Sequence, residues 1–381
     1  MKFAFTDEQR MLKDTSQSFL AAESNSSAVR TASTSEKTYD PQLWRKICED
    51  MYWQGILAPE ACEGLGLGWV EMVIVLEAAG EALLTAPLFS STQSTAALLL
   101  CPQSAMRDAL LSSIVTGDVI SLAMSDQREG WSSCGVVATD KSNTTLLSGS
   151  ARFVPFGAAA SKLLVVAVDA LGAHSLWVVD PSQEGVVVTH TPTMDQTRAM
   201  ASVSLENAAV SVDQLLADDA QALIEPILAL SRILVVADQV GVAQASLDMS
   251  VDYTKERSQF DRTIASFQAI KHKAADMMLK VESARSLLYY AACVADAWFA
   301  GEASIEALQE AAFMASSCAS EAAFFNAGTG IQMHGGVGIT EEYDIQLYFK
   351  RARATESFLG RPAEMREAIA RQLLDGGAAC N

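Results

Sequence analysis

Between Asp118 and Ala217 the chain reads VISLAM, CGVVATD, TTLLSG, LLVVAVD, HSLWVVD, GVVVTH and ASVSLE in succession, short β-branched runs divided by Gly, Asp, Asn, Ser and Pro. So few residues separate them that no crossover helix fits, and strands joined this way pair antiparallel, as a barrel or sandwich. On both sides of this block the apolar period becomes helical. A chain whose period switches twice cannot be one repeating layer; it must be an α+β multidomain fold.

The first helical zone opens at Thr6, followed by DEQRMLKDTSQSFL, which reads as an N-cap with acidic residues in the first turn. The polar stretch SNSSAVRTASTSEKTYD reads as a loop. Helical pattern returns at PQLWRKICEDMYWQ and at WVEMVIVLEAAGEALL, with the glycines of PEACEGLGLG between them. After the β block, Pro226 stands near a first-turn position, and breaks at SQFDRTIAS, FAGEAS and GTGIQMHGGVGIT divide the rest into four long segments, the pattern of an up-and-down bundle. The boundaries expected are 1–117 for an N-terminal α-helical domain, 118–218 for a middle antiparallel β-barrel domain and 219–381 for a C-terminal four-helix bundle. The run ILALSRILVVADQVGVA carries Arg232 and Asp238, too early for a membrane span, so it reads as a buried bundle helix. It is apolar nearly all round, which calls for subunit packing as well.

Charge narrows the partners. A formal net charge of -19 on 381 residues repels phosphate backbones and anionic lipid, so neither nucleic acid nor a membrane surface is expected as a partner. An anionic ligand would need a local basic pocket. The cysteines Cys48, Cys62, Cys101, Cys134, Cys293, Cys318 and Cys380 form no CxxC pair, which fits reduced thiols, and no metal site is expected. Asp7 and Glu8 interrupt the apolar run that an export signal would need, so a cytoplasmic location is expected.

Two C-terminal motifs, RSQFDRTIASFQAIKHKAADM and IQMHGGVGITEEY, and two N-terminal ones, LAPEACEGLGLG and EAAGEALLTAP, resemble the acyl-CoA dehydrogenase family over nearly the whole chain. The resemblance implies an N-terminal helical domain, a β-barrel domain, a four-helix bundle and FAD chemistry on an acyl-CoA substrate. In that chemistry a carboxylate removes the proton α to the thioester while the β-hydrogen leaves as hydride to the flavin. Arg257 and Gln259, with Phe260 after them, match family positions that reach across a subunit interface to the pyrophosphate half of a neighbour's FAD. A guanidinium gives forked, charge-assisted bonds to phosphate that lysine does not reproduce. Gln332, Gly335, Gly336 and Gly338 match the second interface segment, where small residues admit the ADP portion. Read without the resemblance, Arg257 and Glu256 are a solvated pair closing a helix, and the glycines are an ordinary helix connection. Asp261 replaces the family's usual glycine, and His334, a residue type more often structural than catalytic at such a place, is left unassigned.

The other half of the family's site is altered. Where the family has a Thr-Glu-Pro run and a Gly-Ser pair under the flavin ring, this chain has AMSDQREGW, in which Ser125 and Asp126 are partial substitutes. In FVPFG, Pro155 takes a threonine's place and offers no hydroxyl or N–H. The two places that carry the family's catalytic base are occupied by Ser231 and by Leu359, before Gly360. Leucine takes no proton, and a serine needs a base of its own. Glu356 and Glu364 are the nearby carboxylates, read chiefly as solvated helix residues; Arg361 and Ala363 replace polar contacts to the chain's own FAD.

The residues aimed at a neighbour's FAD are thus mostly kept and those serving the chain's own site mostly replaced. The resemblance is to the degenerate, base-lacking subunit of an α2β2 heterotetramer, whose known examples act on steroid side-chain CoA thioesters, with a catalytic acyl-CoA dehydrogenase subunit as partner and electron-transfer flavoprotein as acceptor. Three other readings stay open: a self-sufficient homotetramer with a displaced base, a flavin-free scaffold or binding protein, and another flavin reaction on the same fold.

Overall fold

The computed structural model describes residues 5–35, 37–126, 130–141 and 144–375. Its contacts gather into two compact units: one holds the described residues of Thr31–Gly68 and Thr85–Ser231, the other those through Arg30, Trp69–Leu84 and those from Arg232 onward. Among the described residues six α-helices precede the strands: α1 (Asp7–Glu23), α2 (Ser26–Thr34), α3 (Pro41–Lys46), α4 (Trp69–Glu81), α5 (Leu88–Leu100) and α6 (Ala105–Val115). Thr6 caps α1 as expected, its Oγ1 accepting from Gln9 N at 3.2 Å while Gln9 Oε1 accepts from Thr6 N at 3.1 Å. The expected polar loop is corrected at α2: Asn25 caps that helix by accepting from Ala28 N (3.1 Å), and Val29 and Ala32 are buried. Two apolar residues three apart suffice for a packed face among serines.

The strands are β1 (Ile120–Ala123), β2 (Val136–Lys141), β3 (Thr144–Pro155), β4 (Lys162–Val168), β5 (His174–Val179), β6 (Val186–Thr191), β7 (Met200–Val210) and β8 (Leu215–Ala217). They form one sheet in the order β6-β7-β3-β2-β4-β5-β8, with β1 added against β4. The expectation of a purely antiparallel block is corrected, because β1 and β2 both run parallel to β4. They share one edge of β4, β1 along Lys162–Val165 and β2 at Val168, so the two behave as one interrupted strand. The return to β4 is made through the β2–β3 hairpin, which replaces a crossover helix. Leu163, Leu164, Val165 and Val166 of β4 are buried on both faces; α5 packs on β1, where Ser94 Oγ donates to Ile120 O at 2.7 Å.

The remaining helices are α7 (Gln221–Glu256), α8 (Gln268–Phe299), α9 (Ile305–His334), α10 (Ile345–Thr355) and α11 (Pro362–Asp375), with a small hairpin of β9 (Ser258–Gln259) and β10 (Arg262–Thr263) between α7 and α8. Pro226 lies inside α7, one turn later than expected, and α9 runs through the glycines at 328 and 330 to His334. The apolar stretch of α7 is 94% buried, as a bundle helix requires. The packed helices α8 and α9 bury alanines at 284, 291, 295, 311, 315, 319 and 323. Where α4 crosses α7, a Cβ on Gly241 would stand 2.1 Å from Glu77 O and one on Gly80 2.4 Å from Asp238 O, so only glycine permits this backbone approach. Asp238 meets Arg351 of α10 at 2.7 Å, both buried. The six described cysteines are free; burial pushes Cys48 up to about 12 and Cys101 up to about 11. Cys380 lies outside the described residues.

Candidate functional site

At the end of α7 the backbone turns back on itself. Arg257 N donates to Tyr253 O (2.9 Å) as the last helical bond, and Ile264 N donates to Arg257 O (2.8 Å), closing the hairpin. Its two-residue turn places Phe260 at φ 56° and Asp261 at φ 61°. Left-handed backbone at both positions is the geometry of a tight hairpin turn, normally built with glycine. Asp261 tolerates it through its short polar side chain, so the turn survives the lost glycine. Phe260 is 85% exposed at the tip, edge-on to Phe267, over whose ring Arg262 lies at 4.0 Å.

The end of α9 faces this hairpin. Gly335 (φ 66°) caps the helix, its N–H donating to Ile331 and Gln332 carbonyls. A Cβ on Gly338 would crowd Ile331 O at 2.7 Å, so local packing explains that glycine. Gly336 is different: a Cβ there would meet nothing within 4 Å, leaving open space over the backbone.

Together the two segments line a cleft of about 630 Å³ whose walls include Arg257, Gln259, Gly335 and Gly336, with Tyr253, His334 and Tyr343 between them. Gln332 is exposed just outside it and accepts from Lys273 Nζ at 3.1 Å. His334 is buried, stacked on Tyr253 (centroids 4.4 Å) and edge-on to Tyr343, with Nδ1 donating to Gly330 O at 2.7 Å. Burial lowers its pKa, against the pull of that hydrogen bond, which disfavours the charged ring. Arg257 is exposed and makes no ion pair among the described residues; Glu256, one residue away, also lines the cleft but does not bind it. The solvated Arg257–Glu256 pair is therefore not formed. Tyr253, Ile264, Met333 and Tyr343 were not singled out in the sequence; Tyr253 lies one helical turn before Arg257, which is the signal that finds it.

Neither residue that the resemblance sets at a base position has a side chain placed to take a proton. Ser231 is fully buried, and its Oγ accepts from Gln93 Nε2 at 3.0 Å, an amide that takes no proton. Leu359 is buried at φ 64°, its carbonyl accepting from Arg232 Nε at 2.9 Å. Glu356 pairs with Arg353. Glu364 caps α11, accepting from Arg361 N at 3.0 Å, and meets the Arg361 guanidinium at 3.3 Å. In the sheet, Ser125 and Asp126 are buried, Ser125 Oγ donating to Gly130 O (2.9 Å); residues 127–129 of that stretch lie outside the described residues. Pro155 O accepts from Ser121 Oγ at 2.8 Å, and the phenylalanines at 153 and 156 both hold positive φ.

Helices before and after a central sheet, with a cleft where the α7 hairpin meets the end of α9, define a dehydrogenase-type scaffold. The chain belongs to the acyl-CoA dehydrogenase family: the signatures described as "Acyl-CoA dehydrogenase, N-terminal domain" and "Acyl-CoA dehydrogenase, C-terminal domain" match residues 6–118 and 221–374. It is 33% identical over 360 residues to the acyl-CoA dehydrogenase IpdE2 of Mycobacterium tuberculosis, covering 94% of this chain and 95% of that protein. Among solved structures, a chain of the ChsE4-ChsE5 complex from Mycobacterium tuberculosis superposes with TM-score 0.88 at 27% identity, covering 98% of this chain and 99% of that one. A chain of the Tcur3481-Tcur3483 steroid acyl-CoA dehydrogenase G363A variant superposes with TM-score 0.87 at 26% identity, with the same coverage, 98% and 99%.

Proposed function

We propose that this chain is the non-catalytic subunit of a hetero-oligomeric acyl-CoA dehydrogenase, an α2β2 tetramer in which it lends its cleft to FAD seated in a catalytic partner chain. One contrast carries the reading: the cleft gathers an unpaired Arg257 with Gln259 and the open backbone of Gly336, while Ser231 and Leu359 stand at the base positions and the neighbouring carboxylates are engaged by arginines. The open space over Gly336 and the free guanidinium suit a diphosphate and leave room for it.

When bound, the flavin supplies a hydride acceptor for the β-hydrogen of a CoA thioester. In this reading Arg257 binds the diphosphate through its fork with Gln259 beside it, Gln332 meets the ADP portion, and Gly335 and Gly336 keep side chains out of its path. Phe260, exposed at the hairpin tip, meets the partner. The proton α to the thioester goes to a carboxylate of the partner chain. The likeness to a steroid acyl-CoA dehydrogenase supports a steroid side-chain CoA thioester as substrate, and family membership supports electron-transfer flavoprotein as acceptor in the cytoplasm.

The test is the flavin-to-chain ratio and the oligomer mass of the protein purified alone and after co-expression with a candidate catalytic chain. Little flavin alone and one FAD per heterodimer is the expected result. One FAD per subunit in a homotetramer that oxidises acyl-CoA unaided overturns the reading.

A further inference from the structure

Away from the cleft, α1, the start of α2, the end of α4 and α10 enclose a cavity of about 370 Å³, inside the size range of small-molecule pockets, about 300–1,000 Å³. Leu20, Val29, Ala82, Leu83 and Leu347 make its walls apolar. Two carboxylates line it, each with one oxygen that takes no donor among the described residues, and the reason lies in how the cations nearby are used.

Glu77 and Glu81 stand one turn apart on α4. Glu77 is buried and takes the donors: Arg285 Nε at 2.9 Å and Lys13 Nζ at 3.7 Å on Oε1, and the Tyr289 hydroxyl at 2.7 Å on Oε2. Glu81 is left with one amide, Gln17 Nε2 donating to its Oε2 at 2.8 Å. Its Oε1 has no donor among the described residues. Asp344 repeats the pattern on the opposite wall: Arg30 Nη2 (2.6 Å), Arg30 Nε (3.2 Å) and Ser26 Oγ (2.7 Å) all bind Oδ1, and Oδ2 has no donor among the described residues. The Tyr348 hydroxyl, which also lines the cavity, is turned away to the Glu81 backbone carbonyl at 2.6 Å.

A carboxylate beside apolar walls, lacking a cation of its own, costs free energy that a bound cation recovers. Burial, with the Glu77 charge beside it, raises the Glu81 pKa, the mark of that deficit. We propose that the cavity is a binding site for a small aliphatic amine, its ammonium head donating to Glu81 Oε1 and its alkyl stem lying along Leu20, Leu83 and Leu347.

The test is calorimetric titration of the full-length chain with n-butylamine, with n-butanol as the neutral isostere. Saturable one-to-one binding of the amine is expected, at least about tenfold tighter than the alcohol, since the ammonium makes charge-assisted bonds the alcohol cannot. Glu81→Gln is expected to weaken the amine by about tenfold or more, and it keeps the fold because it removes a poorly solvated charge. Ala82→Leu, which fills the cavity from the end of α4, is expected to abolish binding while Glu81 remains. Equal affinity for amine and alcohol, non-saturating uptake of the kind a chain of net charge -19 shows toward any cation, or binding unaffected by either substitution overturns the proposal.

Discussion

Arg257→Ala removes a guanidinium that is exposed, lines the cleft and has no carboxylate partner among the described residues. Its backbone bonds, Arg257 N to Tyr253 O and Ile264 N to Arg257 O, do not depend on the side chain, so the hairpin keeps its shape. The stability of the isolated chain should therefore move by no more than about 0.5 kcal/mol, the ordinary range for a surface change. Flavin binding is another matter. A hydrogen bond to a charged group contributes about 1.5–3 kcal/mol, so losing it weakens FAD by roughly tenfold to 150-fold. Arg257→Lys restores the charge without the fork and should fall between the two. The assay is release of FAD from the assembled heteromer, followed by flavin fluorescence, with the oligomer mass checked by light scattering and the isolated chain melted in parallel. Unchanged retention in an intact complex would refute the assignment of this cleft to FAD. A variant that melts well below the parent would refute the claim that Arg257 is free of structural duty.

Four further outcomes are expected. Arg351→Met removes the cation 2.7 Å from the buried Asp238 carboxylate and should cost about 3–5 kcal/mol in urea unfolding, much of it recovered in Asp238→Leu/Arg351→Met. Gly241→Ala drives a Cβ to 2.1 Å from Glu77 O, and forcing α4 from α7 should cost about 1–3 kcal/mol by the same measurement. Because the folded-state pKa of Glu81 is raised, its contribution is most favourable in acid and is lost as pH rises through that value, so Glu81→Gln should raise the melting temperature at neutral pH, with the gain shrinking as pH falls. Asp261→Gly should relieve about 1 kcal/mol of left-handed strain and slow amide exchange in the hairpin; faster exchange would show that the aspartate side chain holds the turn.

What the sequence determined by itself was carried by short-range physics. The capping box at Thr6, the β-branched runs and the all-round apolar α7 each declare themselves within a few residues, because caps, strand pleats and buried faces act over a turn or two. The resemblance sets Leu359 at a position where the family carries a base, and no environment gives leucine a proton to exchange. The tertiary structure decided the rest. Only packing makes Ser26–Thr34 a helix, because two apolar residues among serines form no signal until something covers them. Only the route of the β2–β3 hairpin makes β1 and β2 parallel to β4, for strand direction depends on where the chain returns. Arg257 and Gly336 become one cleft because α8 and α9, packed together, carry the chain away from the α7 hairpin and bring it back. The surplus of acceptors around Glu81 is likewise invisible along the chain, because it comes from Arg285 and Lys13 reaching Glu77 instead, a choice that three packed helices make together.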